Sequence, residues 1–280
     1  MRNFILSTFL LVIGSAFAQE YTTDYEIQYE AKYSLDSLNL NMKTTETLYL
    51  FAGLDYGVFM NFNAVNKERI EAEVTKRLKS GNMDFTGLAK PSNINVQFYK
   101  NRQEDEVFAA SGNFDKIYIY EEVSVPLEWE IIDETKEYLN YQVQKATTSF
   151  AGRDYEAWFT LEIPINDGPY VFYGLPGLIV ELYDTKGHYY FGLKSIEKLE
   201  SSRTWELNLD KVYSREEVKK IEAKANKSLL LPHLSTPEAD GDKVILRKFL
   251  DETGKEISEA ELRREHKKIR ESKNNPIELE

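Results

Sequence analysis

The sequence predicts a mainly β fold, a curved antiparallel sheet or half-barrel built as a meander, with two or three short helices. Two observations lead to this prediction. Apolar and polar residues alternate in several segments, as expected where one strand face meets a core and the other meets water. The 280-residue chain also contains 18 Tyr and 15 Phe, and aromatic side chains suit pleated sheets better than helices.

The clearest predicted strand covers residues 25–33, where aromatic and aliphatic side chains alternate with Glu, Gln and Lys. Weaker patterns of the same kind predict further strands at residues 45–51, 58–62, 94–99, 116–123, 139–144, 156–163 and 244–250. Because many such strands follow one another along the chain, an antiparallel meander is the economical arrangement.

Three segments predict helices instead. Apolar residues recur every fourth position between Asn66 and Gly81, and glycine is a natural helix stop. Serine followed three residues later by glutamate forms a capping box at residues 214–217 and again at 258–261. The second box predicts a charged helical tail over about residues 258–273. No long Gly/Ser or Pro linker interrupts the chain, so one mature domain is expected over residues 19–280.

The first 18 residues have the pattern of a cleavable secretory signal. One basic residue is followed by an apolar run over residues 4–13 and by small residues ending at Ala18, so cleavage is expected between Ala18 and Gln19. The run is shorter than the roughly 20 residues that span a bilayer. The chain has no cysteine and therefore lacks the residue that a lipoprotein acylates. We expect a periplasmic or secreted protein without a transmembrane segment or lipid anchor.

Charge and motif content exclude several classes of function. With 47 acidic and 35 basic residues the net charge is −12, which argues against nucleic acid as a partner. The sequence contains no G-x-S-x-G elbow, phosphate loop, dinucleotide fingerprint or H-E-x-x-H motif. Its three histidines are far apart, and residues 240–242 fit a turn better than a calcium loop. The sequence therefore predicts no catalytic residue, no cofactor and no metal site.

Residues 153–198 contain the densest run of turn signals. Tyr170–Tyr173 is interpreted as a short strand, and Pro176 with Gly177 as a type II turn in which the glycine takes positive φ. A three-strand meander follows from these local signals and requires no ligand.

The same block resembles a known family. Residues 157–160, 162–165 and 168–169 fit its pattern, and the hexapeptide Gly174, Leu175, Pro176, Gly177, Leu178, Ile179 fits without a mismatch. These residues resemble the defining block of the GLPGLI family, which are exported proteins of Bacteroidetes-type bacteria. Residues 141–148 and 152–155 resemble the family's lead-in, and residues 275–279 resemble its common C-terminal ending.

Three positions depart from the family pattern. Val143 stands where many members carry cysteine, and Phe159 and Leu161 replace tyrosine and proline. The resemblance implies export and a shared domain but no settled activity, so it carries over no catalytic residue. The hexapeptide is expected to be structural.

Candidate binding residues are aromatic. Trp158 breaks the alternation of its strand and is expected to face the polar side with Glu156 and Thr160. It marks either a second covered surface or a binding platform. Together with Tyr170 and Tyr173 it forms the candidate binding set.

The preferred hypothesis for function is a non-enzymatic periplasmic binding or envelope-assembly module. Its concave face would hold an apolar ligand, a peptide or an outer-membrane partner. The alternative is a hydrolase whose acid pair is brought together by folding. A purely structural role in the envelope is not separable from the first hypothesis by sequence.

Overall fold

The computed structural model describes residues 18–41, 43–113, 116–122 and 127–228, together with 237–240, 243–246, 249–250, 256–258, 261, 264 and 275–278. The predicted signal peptide lies outside the described residues except for Ala18. Most of the helix predicted at 258–273 also lies outside them. Its capping box is present, since the Ser258 amide donates to the Glu261 carboxylate at 2.9 Å.

Twelve strands of the described chain form one open, curved sheet. Their order across the sheet is β12-β6-β5-β4-β3-β2-β1-β11-β10-β9-β8-β7. All neighbours are antiparallel except β12 and β6, so the predicted mainly β meander is confirmed. The strands are β1 (Ala18–Ser34), β2 (Lys43–Ala52), β3 (Tyr56–Asn61), β4 (Gln97–Asn101), β5 (Glu106–Asn113), β6 (Lys116–Glu121), β7 (Glu130–Tyr138), β8 (Tyr141–Phe150), β9 (Arg153–Thr160), β10 (Leu178–Asp184), β11 (Tyr189–Asn208) and β12 (Val212–Tyr213).

The remaining elements are short. Two small hairpins pair β13 (Pro237–Asp240) with β14 (Lys243–Leu246) and β15 (Phe249–Leu250) with β16 (Glu256–Ile257). The described helices are α1 (Phe62–Val65), α2 (Lys67–Lys79) and α3 (Arg215–Ser228). Helix α2 is the one predicted between Asn66 and Gly81. Helix α3 begins at the predicted capping box, in which the Ser214 amide donates to Glu217 at 2.8 Å.

Strands β1 and β11 extend past β2 as a two-stranded ribbon. Residues 18–23 pair with residues 203–208 of β11 and have no partner on β2. A register shift follows Thr23, and such a bulge bends a strand. The ribbon packs on the outer face of the sheet, where the Tyr21 ring lies 5.3 Å from Tyr56 and 5.4 Å from Tyr99. A second, smaller hydrophobic cluster forms there.

The inner face of the sheet carries the main hydrophobic cluster and is covered by the chain itself. An irregular stretch, residues 161–177, leaves β9 and returns as β10; we call it the covering segment. Its Val171 and Phe172 are fully buried, and Tyr170 and Tyr173 are 3% exposed. Side chains of this segment are therefore part of the main hydrophobic cluster and leave less apolar surface for the ligand that the sequence hypothesis expected.

The prediction of a strand at Tyr170–Tyr173 is wrong. In this segment the structure shows only a single bridge between Asp167 and Tyr173. The aromatic residues there pack against the inner face rather than extending the sheet, because burying large rings removes much apolar surface from water. The three-strand meander is thus reduced to β10 and β11.

A buried ion cluster fixes the covering segment to the sheet. The Lys100 ammonium lies 2.6 Å from one oxygen of Asp167, and the Arg102 guanidinium pairs with the other. Lys100 also donates to the Gly168 carbonyl at 2.8 Å. Burial lowers the pKa of Lys100, and the Asp167 carboxylate opposes that effect. Gly57 makes room for the cluster, because a Cβ there would lie 2.0 Å from an Asp167 oxygen.

The hexapeptide motif contacts the core of its own chain. Leu175, Leu178 and Ile179 are buried, whereas Pro176 is exposed. Positive φ occurs at Gly174, at +96°, and not at Gly177 as predicted. Gly177 is constrained by close approach instead, since a Cβ there would lie 2.0 Å from the Thr160 carbonyl oxygen.

We expect Asp167→Asn to lower the free energy of unfolding by about 3–5 kcal/mol, because it leaves two buried cations without their counter-charge. Urea denaturation measures the change. The control is Glu73→Gln, which removes a carboxylate from the surface pair with Arg77 on α2 and should leave the midpoint unchanged. Equal midpoints for the two variants would show that the cluster does not hold the covering segment.

Candidate functional site

A short extended segment, residues 275–278, lies in a groove lined by the end of β1 and by β9 and β11. Its polar groups are bound by residues distant in the chain. The Asn275 amide donates to the Leu35 carbonyl at 3.0 Å, and its side chain donates to the Ser34 carbonyl at 2.6 Å. The Asn275 carbonyl accepts from the Tyr189 hydroxyl at 2.6 Å. We call this place the peptide groove.

Arg153 is the central residue of the peptide groove. Its Nη2 donates to the Asn275 side-chain oxygen and to the Pro276 carbonyl, both at 2.7 Å, and its Nε donates to the Ile277 carbonyl at 3.0 Å. The guanidinium thus binds three acceptors along one extended stretch of chain.

A buried carboxylate orients Arg153. Its Nη1 lies 3.3 Å from Asp184, and both side chains are almost fully buried. The same nitrogen lies 2.9 Å from His188 Nδ1, which must accept because a guanidinium only donates. Asp184 in turn accepts from the Tyr189 amide at 2.6 Å. The arginine is therefore held in place by the turn between β10 and β11.

Tyrosine hydroxyls complete the groove walls. The Tyr155 hydroxyl donates to the Ile277 carbonyl at 3.4 Å, and the Tyr189 ring stacks on Tyr33 with centroids 5.6 Å apart. Burial raises the pKa of Tyr189 to about 12, although the nearby Arg153 opposes this. Burial also raises the pKa of Tyr155 above its usual range. Both hydroxyls stay protonated donors at neutral pH.

The far end of the segment meets charged residues. The Glu278 carboxylate accepts from the Tyr170 hydroxyl at 2.5 Å and pairs with Arg215. Arg215 also binds both oxygens of Glu122, at 3.1 and 2.9 Å. A cavity of about 260 Å³ lies here, bounded by β5, β6, α3 and the segment, and its lining includes Lys219 and Glu222.

Of the three aromatic residues predicted to bind, the structure brings only Tyr170 to this site. Tyr173 is buried elsewhere in the covering segment, where its carbonyl accepts from the Trp129 indole at 2.8 Å. Trp158 is 4% exposed. Binding by these residues stays a prediction, and their burial gives Trp158 and Tyr173 no open face.

Trp158 belongs to the main hydrophobic cluster and is almost fully buried. The Lys136 ammonium is 4.1 Å from its ring centroid, and its indole donates to the Tyr183 hydroxyl at 3.3 Å. Lys136 also pairs with Glu181, and Tyr183 donates to Glu156 at 2.9 Å. Charged side chains and a tyrosine cover this tryptophan.

Sequence reasoning missed Arg153, Arg215 and the 275–278 segment. In the sequence, the residues around Arg153 and the Asn-Pro pair at 275–276 indicate only the family resemblance. Arg153 and Asn275, for example, are 122 positions apart in the sequence. No local periodicity predicts a contact over such a distance. The capping box marked the start of α3 but not the role of Arg215, which lies within it.

Other parts of the described structure offer weaker sites. A second cavity, of about 270 Å³, is lined by amide side chains such as Asn61, Asn95 and Gln97, which bond to neighbouring groups of the chain. No three His, Asp or Glu side chains among the described residues are grouped as metal ligands. Within the same residues, no helix combines the length and apolar character needed to cross a membrane.

Stability should fall as pH rises above about 10, the ordinary pKa of tyrosine. The unfolded chain then loses hydroxyl protons that the folded chain keeps, since folded Tyr189 has its pKa raised to about 12. Each such tyrosine contributes a loss of about 1.4 kcal/mol per pH unit until its folded pKa is reached. Urea denaturation at increasing pH measures this loss.

The matched variant for that measurement is Tyr189→Phe, which removes one titrating group and should give a shallower decline. A free energy of unfolding that stays constant above about pH 10, or rises, contradicts the buried hydroxyls of the groove.

Comparison with known proteins gives a partial match to one family. Residues 151–181 match the family model described as "Protein of unknown function (Porph_ging)". The matched stretch contains Arg153, Asp167 and the whole hexapeptide. The GLPGLI name itself stays a resemblance.

No curated protein matches the chain. Two solved structures of PNGF-II, in C2 and P21 crystal forms, are each 18% identical to it. The aligned regions cover 80% and 83% of this chain and 35% and 37% of the PNGF-II chains, with TM-scores of 0.48 and 0.49. The chain spans little more than a third of the length of these structures.

Proposed function

We propose that the protein is an exported, non-enzymatic binding module that holds an extended peptide in the peptide groove. The observation that carries the proposal is the Arg153 guanidinium, which is buried and donates to three oxygens of the 275–278 segment. That segment occupies the position proposed for a partner's peptide.

The pattern of hydrogen bonds supports a peptide over other ligands. The carbonyls of Asn275, Pro276 and Ile277 are all bound, as is the Asn275 amide. Recognition through main-chain groups is how extended peptides are held in many binding domains. The Asn275 side chain adds selectivity, because it both donates and accepts within the groove.

An apolar ligand has less support than a peptide. The covering segment occupies the inner face with its own aromatic side chains, among them the fully buried Phe172. The peptide belongs to a protein partner in this proposal, and for an exported module an outer-membrane protein is a suitable source.

A hydrolase is the second proposal, favoured by the acids around the 260 Å³ cavity. Glu222 and Glu278 line this cavity, and the buried Glu122 lies within reach of the same arginine. It has less support because these carboxylates already hold Arg215 or the Ser111 hydroxyl, whereas acid–base catalysis needs one of them available to a substrate.

Peptide exchange tests the binding proposal. A protease recognition sequence inserted between Ser272 and Lys273 allows the full chain to fold first and be cut afterwards. We expect a labelled synthetic peptide of residues 272–280 to exchange into the groove, because its bonds are non-covalent. Fluorescence anisotropy measures the binding.

Peptide variants serve as controls and do not disturb folding. An Asn275→Ala peptide should bind at least about tenfold more weakly, since it loses a charge-assisted hydrogen bond to Arg153, and a scrambled peptide should not bind. If the cut chain never exchanges its segment, or unfolds when the segment leaves, residues 275–278 are a fixed part of the fold and the proposal is wrong.

Export remains part of the proposal. The first described strand, β1, begins at Ala18, which pairs with Asn208 of β11. Cleavage before Gln19 would therefore leave β1 almost whole.

In a bacterium that exports the protein, we expect intact mass to show a mature chain beginning at Gln19. An Ala18→Arg variant should keep the precursor mass because the cleavage site requires a small residue, whereas Glu20→Gln should not. Retention of Met1 by the unmodified protein contradicts export by this signal.

A further inference from the structure

We propose that the peptide groove selects peptides that carry a carboxylate side chain at the position of Glu278, read by Arg215 and Tyr170. This inference rests on the proposed function and names the class of peptide that the groove takes. The contact that suggests it is the Glu278 carboxylate, which accepts from the Tyr170 hydroxyl at 2.5 Å and pairs with Arg215.

Arg215 is oriented by residues outside the 275–278 segment. Its Nη1 binds both oxygens of Glu122, a carboxylate on the sheet side that is fully buried. The backbone around it is fixed as well, because Arg215 is the first residue of α3 and lies within the Ser214–Glu217 capping box. An arginine held in this way loses little conformational freedom when it binds a second carboxylate.

Arg215 has donor capacity that Glu122 does not use. Its Nη2 faces Glu278 in an ion pair, and Nη2 and Nε are both buried without a hydrogen-bond partner among the described residues. A guanidinium presents its N–H groups as a planar fork that matches a carboxylate. The edge formed by Nε and Nη2, which Glu122 does not occupy, therefore favours an acidic side chain over a neutral one of the same shape.

Tyr170 supplies the second donor from a rigid position. Its φ is +57°, a region that residues other than glycine rarely occupy unless their surroundings hold them there. The ring is buried, with its centroid 4.5 Å from that of Phe98 and 6.5 Å from that of Phe150. The covering segment thus holds the hydroxyl at a fixed point beside Arg215.

The 260 Å³ cavity gives this end of the groove room for a side chain to enter. Val96, Tyr120 and Val218 form part of its wall, and Ile277 and Glu278 line it from the segment. Glu222, the acidic residue that α3 contributes to the lining, accepts from the Ser111 hydroxyl.

A thermodynamic cycle tests the inference, using the full chain folded and then cut between Ser272 and Lys273. The peptide of residues 272–280 is compared with its Glu278→Gln variant, against the unmodified chain and against Tyr170→Phe, which keeps the ring packing. We expect the Glu peptide to bind the unmodified chain roughly tenfold more tightly than the Gln peptide, and this ratio to shrink in Tyr170→Phe.

A second pair of variants removes the arginine. Arg215→Gln combined with Glu122→Gln keeps the buried site neutral, and there the preference for the Glu peptide should shrink as well, because only Tyr170 remains to bind the carboxylate. Equal binding of both peptides by the unmodified chain overturns the inference while leaving a peptide groove intact. Absence of binding by every peptide overturns the proposed function itself, so the two failures are distinguishable.

Discussion

A wide, curved sheet with an apolar inner face needs a cover, because apolar surface of that extent is unfavourable in water. The covering segment provides it, and the Asp167 carboxylate holds this segment between Lys100 and Arg102. Three charges buried together are stable only as a set, since removing one leaves another uncompensated. The position of Tyr170, and with it one end of the peptide groove, depends on this contact.

One arrangement recurs at three places in the described part of the chain. A buried carboxylate orients an arginine, whose remaining donors then bind another part of the chain. Asp167 does this for Arg102, which also donates to the Gly53 and Leu54 carbonyls. Asp184 does it for Arg153, and Glu122 does it for Arg215. Arginine suits this use because its planar fork serves several acceptors at once without losing its charge.

Two of these arginines, Arg153 and Arg215, contact the 275–278 segment toward its two ends. Arg153 donates to two main-chain oxygens and to the Asn275 side chain, whereas Arg215 pairs with the Glu278 carboxylate. In the proposed function both arginines therefore contribute selectivity, and Arg153 also contributes affinity that does not depend on sequence. Buried tyrosines assist both, because burial raises the pKa of residues such as Tyr170 and keeps their hydroxyls as donors.

The sequence by itself determined those strands and helices whose signals are local. Alternation over residues 25–33 gave β1, and the Ser214–Glu217 box gave the start of α3. Only the tertiary structure decided which of the 47 acidic residues are buried and which arginines they hold. Asp167 is 67 positions from Lys100, so their pairing depends on where the folded sheet brings distant turns together, and a buried ion pair leaves no periodic trace in the chain that forms it.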